Sequence, residues 1–219
     1  MLAGCSRQDP APPPAVVDAA PPAPAAPPSD AGAEISPELA ARLIRAHSPV
    51  LGPAHAPVTI VEFLDPACEA CAAYAPVLRQ IELVHEQDVR IVVRFAAFHP
   101  GSDQAIRLLD AARRQGKFEP TLDALFANQE AWASHQAPNP ARAWEIAQAA
   151  GVDLAKARRD AADDQASTAL RVDAEDIVAL KVERTPTFFI NGRPLINYSP
   201  DTLMKVVGEE VARARGTTR

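Results

Sequence analysis

The sequence predicts an α/β fold in which a central mixed β-sheet is flanked by helices and an all-helical subdomain is inserted into the chain path. Three observations predict it. An apolar, β-branched run at Val58–Leu64 is separated by a helix-patterned stretch from a second such run at Val89–Phe95, which implies parallel strands joined by a right-handed crossover. Residues 103–181 then carry helical spacing with no convincing strand. Finally Thr187–Ile190 leads into Asn191-Gly192 and a second extended run, the strongest short signal for a β-hairpin.

Taken in order, Ser36 is placed to cap a helix that begins at Pro37, with Leu39, Leu43 and Ile44 on one face and an end before Ser48-Pro49. Residues 58–64 and 89–95 are too short and too β-branched for helices. Between them, residues 68–86 set Tyr74, Val77, Leu78, Ile81 and Val84 at helical spacing. In the insert, Ile106, Leu108, Leu109 and Ala112 pattern one helix that Asp103 would cap, and Leu122, Leu125 and Phe126 pattern another. Asn139-Pro140 opens a third with Trp144 and Ile146, which Gly151 ends. Two more follow near 153–162 and 164–180, the last with Leu170, Ile177 and Leu180. After a hairpin whose second run covers 193–196, a final helix near 200–214 turns Leu203, Val206, Val207 and Val211 to the core. The organisation is therefore a segment 1–33, a first α/β part 34–102, the helical insert 103–181, and a second α/β part 182–219.

The chain has 219 residues, enough for one domain of ordinary size, and its 47% hydrophobic content suffices for a core. A net charge of −6 and the absence of a dense Lys/Arg block argue against a nucleic-acid partner. Residues 10–28 are almost wholly Pro and Ala and hold nine of the 22 prolines. Proline removes backbone donors and favours extended chain, so this segment reads as a semi-rigid tether, able to span roughly 80 Å from Cys5 to Gly32 at about 3.1 Å per residue. A plain tail or a Pro-rich ligand for another domain are the alternatives.

Two of the three cysteines form Cys68-Glu69-Ala70-Cys71, directly behind the first strand and at the start of a helix. A helix N-terminus stabilises the first thiolate, and a thiol three residues on can close a disulfide with it, so the pair reads as thiol-disulfide exchange chemistry. Half of a zinc site is the alternative, but no second Cys/His pair at finger-like spacing exists to complete four ligands. His47, His55, His85 and His135 are scattered without helical pairing, which assigns no metal site, and His99 reads as a loop residue that packs locally. Trp132 and Trp144 read as core of the helical insert.

Glu62-Phe63-Leu64 ending a strand, then Cys68-Glu69-Ala70-Cys71, then Thr185-Pro186-Thr187 ahead of the hairpin, together resemble the thioredoxin superfamily, and within it the DsbA-like branch, whose thioredoxin fold carries an inserted helical domain. The resemblance covers about residues 50–215. It implies that Cys68 is the exposed attacking thiol, Cys71 the buried resolving one, and Glu62 a buried acid that relays the Cys71 proton. Strand alternation would turn Glu62 inward with Ile60 and Leu64, where a lone carboxyl has a raised pKa; an outward charge at the strand end is the alternative. The resemblance further implies that Pro186 is a cis-proline against the dithiol, with Thr185, Glu69 and Ala70 facing substrate. It implies no bound cofactor beyond the redox-active disulfide.

The sequence departs from the most oxidising relatives at Glu69-Ala70, where those carry Pro-His. A carboxylate beside Cys68, with no histidine between the cysteines, predicts a less acidic Cys68 and a less oxidising disulfide than theirs. Thr185 ahead of the proline is also more similar to isomerase-like and reductase-like branches, so oxidase, isomerase and reductase all stay open. Leu2-Ala3-Gly4-Cys5 resembles the lipobox of bacterial lipoproteins, which implies lipidation of Cys5 and anchorage to a membrane. The expected role is a periplasmic, lipid-anchored oxidoreductase acting on cysteines of exported proteins and recharged by a membrane or soluble redox partner. The alternative is a non-catalytic peptide-binding or copper-carrying module.

Overall fold

The computed structural model describes Met1, residues 35–196 and residues 199–216. Cys5 and the Pro/Ala tether lie outside the described residues. The first elements are α1 (Pro37–Leu43), β1 (Val50–Leu51), β2 (Val58–Leu64), α2 (Glu69–Val84) and β3 (Val89–Phe95). The insert holds α3 (Ser102–Arg113), α4 (Phe118–Ala127), α5 (Gln129–Trp132), α6 (Pro140–Ala149), α7 (Leu154–Ala161) and α8 (Asp164–Ala179). The chain closes with β4 (Thr187–Ile190), β5 (Arg193–Pro194) and α9 (Pro200–Ala214). Among the described residues the sheet runs β1-β3-β2-β4-β5, with β2 and β3 parallel and the other neighbours antiparallel. This is a thioredoxin fold with a helical insert.

Alternation along the central strands divides the core in two. Ile60, Leu64, Ile91, Val93 and Phe188 pack with Leu78 and Ile81 of α2, Leu203 and Val207 of α9, and the insert. Val61, Phe63, Val92 and Phe189 face the other way, against Leu43 and Val182. Both faces are covered, which is why β2 and β3 are near-continuous apolar runs instead of alternating ones. Burial also explains the exceptions. Arg94 lies on the second face, fully buried, with its guanidinium bonded to Asp173 and Asp176 of α8 at 2.7 and 2.8 Å. Arg45 and Arg42 reach Asp176 from outside at 2.7 and 3.0 Å.

The structure corrects several local readings. Leu170, Ile177 and Leu180 of α8 pack against the core as partly buried residues, but its fully buried positions are Ala166, Asp173 and Asp176, the two aspartates meeting the Arg94 cation of the sheet. Gly101, with φ of 85°, occupies the N-cap of α3, and Asp103 sits in the first turn. Val84 is exposed, since α2 has run past the sheet by that point. The edge strand β1 and the one-turn α5 carry no sequence pattern long enough to reveal them. β5 is short, Arg193–Pro194, although the Leu195 N–H beyond it still donates to the Phe188 carbonyl oxygen at 2.9 Å. The hairpin turn is as expected: Asn191 and Gly192 have φ of 47° and 81°. Gly192 has a second reason to be glycine, because a Cβ there would lie 2.3 Å from the Ile35 side chain.

Candidate active site

The dithiol sits where β2 hands over to α2. Leu64 ends the strand, and Asp65-Pro66-Ala67 forms the turn that aims Cys68 at the helix start. Cys68 is the N-cap of α2 but supplies no side-chain cap bond, so its sulfur is left for chemistry at the positive end of the helix. The turn is held by Asp65, fully buried, whose carboxylate accepts from the backbone N–H groups of Ala67 (2.8 Å), Phe98 (2.8 Å) and His99 (3.0 Å) and from the Ser102 hydroxyl. His99 Nδ1 lies 2.7 Å from the same carboxylate. Sequence reading passed over Asp65. An aspartate between a strand end and a proline, placed to form an Asx turn, is the signal that could have found it.

The Thr185–Pro186 peptide bond is cis, and this loop lies across the dithiol, where the Cys68 thiol donates to the Thr185 carbonyl oxygen at 3.3 Å. Under that loop Cys68 keeps only 6% of its surface, so the expectation of an exposed thiol is corrected. Cys71, on the inner side of the first turn, is fully buried, while Glu69 and Ala70 between them face solvent.

The two sulfurs are driven apart in acidity. The Cys71 thiol donates to Cys68, which pushes the Cys68 thiol down to about 5 against the opposing effect of its partial burial. The Thr185 side chain and the backbone N–H groups of Ala70 and Cys71 add to that shift. Burial pushes Cys71 the other way, far above the ordinary thiol range, and its hydrogen bond to Cys68 and the nearby Glu62 reinforce it.

Glu62 shares the inner face of β2 with Ile60 and Leu64 and keeps 2% of its surface, paired in register with Val93 and Phe188. Its Oε1 is buried without a hydrogen-bond partner. Loss of hydration, with a smaller contribution from the Cys68 charge, pushes the carboxyl up to about 8.

Glu69 turns away from the dithiol. His135, from the segment after α5, places Nε2 2.7 Å from Glu69 Oε1, and its ring stands 5.5 Å from that of His99. The Glu69 carboxyl is held below its ordinary value by its own backbone N–H and then by His135. Glu69 therefore does not set the acidity of Cys68, which the Cys71 thiol, Thr185 and the backbone N–H groups of Cys71 and Ala70 bring down to about 5. No local pattern marks His135.

Among the described residues no group of three His, Cys, Asp or Glu side chains could hold a metal ion, and no helix is long and apolar enough to cross a membrane.

Residues 45–209 match a family model described as Thioredoxin. The Na(+)/H(+) antiporter NhaA 3 of Salinispora tropica is 34% identical over 147 residues, which take in 66% of this chain and 22% of that protein. The chain thus spans about a fifth of the length of the curated relatives it matches. A thioredoxin-like oxidoreductase from Silicibacter pomeroyi DSS-3 is similar in structure, with a TM-score of 0.64, 26% identity, and coverage of 80% of this chain and 95% of that one. The alpha-DsbA1 of Wolbachia pipientis shares the fold at a TM-score of 0.70 and 16% identity, covering 80% of this chain and 96% of its own.

Proposed function

This chain belongs to the thioredoxin family, and from that membership we propose that it is a thiol:disulfide oxidoreductase of the cell envelope that exchanges disulfides with cysteines of exported proteins through Cys68 and Cys71. What supports this above all is the asymmetry of the two sulfurs: one thiol held near pKa 5 at a helix N-terminus, its neighbour held protonated.

In the oxidising direction a substrate thiolate attacks Cys68 Sγ of the Cys68–Cys71 disulfide. The Cys68–Cys71 bond breaks, and Cys71 leaves with the electron pair and takes the Glu62 proton. A second substrate thiolate then attacks the substrate sulfur of the mixed disulfide and expels Cys68 as a thiolate. Two electrons have passed from the substrate dithiol to the enzyme. A thiol of pKa near 5 is about 99% ionised at pH 7, so it is a good leaving group, and its stability as thiolate favours the reduced enzyme. That favours donation of disulfides, as an oxidase or isomerase, over a reductase role. Thr185 and Pro186 would carry the extended substrate strand beside Cys68, with Ala70 on the rim. A redox partner must restore the disulfide after each turnover, and a lipid on Cys5 would hold the enzyme at a periplasmic membrane surface. The antiport named in the longer relatives is no part of this reading.

The test is an equilibrium titration of the Cys68/Cys71 pair against glutathione. A potential above about −200 mV is expected; one near −270 mV, roughly that of thioredoxin, overturns the disulfide-donating direction, and failure to form any disulfide overturns the function. Cys71→Ser expressed in an envelope should accumulate mixed disulfides between Cys68 and exported proteins. Absence of such adducts overturns the proposed substrates.

A further inference from the structure

Glu62 must take up or release one proton for each exchange, yet it is walled in. Strand neighbours Val93 and Phe188 flank it, and its surface exposure is 2%. It lines a cavity of about 30 Å³ together with Cys71, Leu78, Arg79, Glu82 and Phe126 among others. The unpartnered Glu62 Oε1 belongs to this lining residue. At about 10–15 Å³ per water, the cavity has room for roughly two waters, with Glu62, Arg79 and Glu82 among its lining as polar partners.

Glu82 lines the same cavity for a reason visible in the helix. Cys71, Ala75, Leu78 and Glu82 are spaced four, three and four apart, so they form one stripe on the inner face of α2. An apolar residue would continue that stripe into the core. A carboxylate stands there instead, with 17% of its side chain exposed.

We propose that Glu82 is the outer group of a proton path that runs from Glu62 through water in this cavity to solvent. The proposal rests on Glu62 being the proton partner of Cys71. When Cys71 attacks Cys68 of a mixed disulfide, the Cys71–Cys68 bond forms and the substrate leaves as a thiolate, which takes its own proton from solvent. The Cys71 proton passes to the Glu62 carboxylate, then over the waters to the Glu82 carboxylate, and so to bulk water. In the opposite direction the same path recharges Glu62 from solvent.

The surroundings of Glu82 suit that role. Arg79 lies 3.1 Å away on the same helix, and Glu119 and Asp123 of α4 share that arginine at 2.6 and 3.1 Å. Burial pushes the Glu82 carboxyl above its ordinary value, Arg79 pulls it down, and Glu119 and Asp123 push it up, which brings it closer to Glu62. Proton transfer between groups of similar affinity is the easier one.

The probe is 5,5′-dithiobis(2-nitrobenzoate) mixed with the reduced, full-length protein in a stopped-flow instrument. The first release of nitrothiobenzoate reports attack by Cys68, and the second reports resolution by Cys71. Glu82→Gln is expected to leave the first phase and its pH profile unchanged and to slow the second roughly tenfold, with the loss restored by a small carboxylic-acid buffer. Glu82→Asp should retain most of the rate. Ala75→Leu narrows the cavity without touching either carboxylate and should slow the second phase as well. If Glu62→Gln slows the second phase while Glu82→Gln and Ala75→Leu do not, the path is overturned and Glu62 keeps its role. If Glu62→Gln leaves the second phase unchanged, the role of Glu62 is overturned and the path with it. Equal slowing of both phases by Glu82→Gln overturns the path in favour of a structural effect.

Discussion

Replacing Glu62 with glutamine removes a titration that the fold makes unfavourable. The carboxyl has an ordinary value of 4.5 and stands at about 8 in the folded chain. Between those pH values the folded protein holds a proton that the unfolded chain has released. Stability is therefore highest below pH 4.5 and falls as pH rises through the folded value. The slope is about 1.4 kcal/mol per pH unit, and a shift of about 3.5 units amounts to about 5 kcal/mol above pH 8, or about 3 kcal/mol at pH 7. Glutamine does not titrate, so any fixed cost of burying its amide offsets the comparison equally at every pH. Urea unfolding of both proteins at pH 5, 7 and 9 should show the variant gaining on the wild type as pH rises, with the gain levelling off above pH 8. In the oxidised protein the Cys68 charge is gone, and the window should close at a lower pH. A difference that is flat from pH 5 to 9, or that favours the wild type more at pH 9, refutes the burial argument.

Three other perturbations follow from the same geometry. His135→Ala should leave Glu69 unbalanced beside the dithiol and raise the Cys68 thiolate pKa, by less than about one unit because the pair is exposed; ultraviolet absorbance of the thiolate across pH reads it, and no shift or a fall overturns the compensation. Arg94→Met should destabilise the fold by about 3–5 kcal/mol in urea titrations, since it leaves two carboxylates on a covered sheet face; a loss under about 1 kcal/mol would mean that Arg42 and Arg45 suffice. Asp176 is buried, which opposes ionisation, but hydrogen bonds from Arg45 and Arg94 overcome this and hold its carboxyl at about 2. Its contribution is present above the ordinary value of 3.8 and lost as pH falls through 2. The stability gap between wild type and Asp176→Asn should thus narrow between pH 4 and pH 2, and a gap that widens there refutes the assignment.

The central strands, the α2 crossover and the Asn191-Gly192 hairpin were legible because each rests on a local pattern: β-branched runs, helical spacing, and a turn that needs positive φ. Glu62 was legible for a related reason, since alternation alone puts it on the face of Ile60 and Leu64. What escaped was the set of pairings across the chain. Arg94 meets Asp173 and Asp176 over 79 and 82 residues, and Glu69 meets His135 over 66. In sequence each is one charge among many on a helix or a loop, and nothing local says which opposite charge the fold will bring to it. The acidity of Cys68 rests on pairings of the same kind: Glu69 and Ala70 are its local neighbours, but the Cys71 thiol and Thr185, 117 residues away, govern the sulfur's surroundings.

Those pairings also explain how a carboxylate can sit beside a reactive thiolate without quenching it. Asp65 is closer in sequence to Cys68 than any other acid but Glu69, and it is fully buried. Its charge is spent on backbone N–H groups of Ala67, Phe98 and His99, on the Ser102 hydroxyl and on the His99 ring. Glu69 is engaged by His135. Glu62, pushed up to about 8, carries most of its population as the neutral acid at neutral pH. Each of the three neighbouring carboxyls is therefore held off the thiolate by a different means: a cage of donors, a hydrogen-bonded histidine, and protonation. The Cys68 thiolate is left facing the α2 N-terminus, the Cys71 thiol and Thr185, all of which favour its charge. Loss of any one means should raise the Cys68 pKa, and loss through Glu62 should do so only above the pH at which that acid ionises.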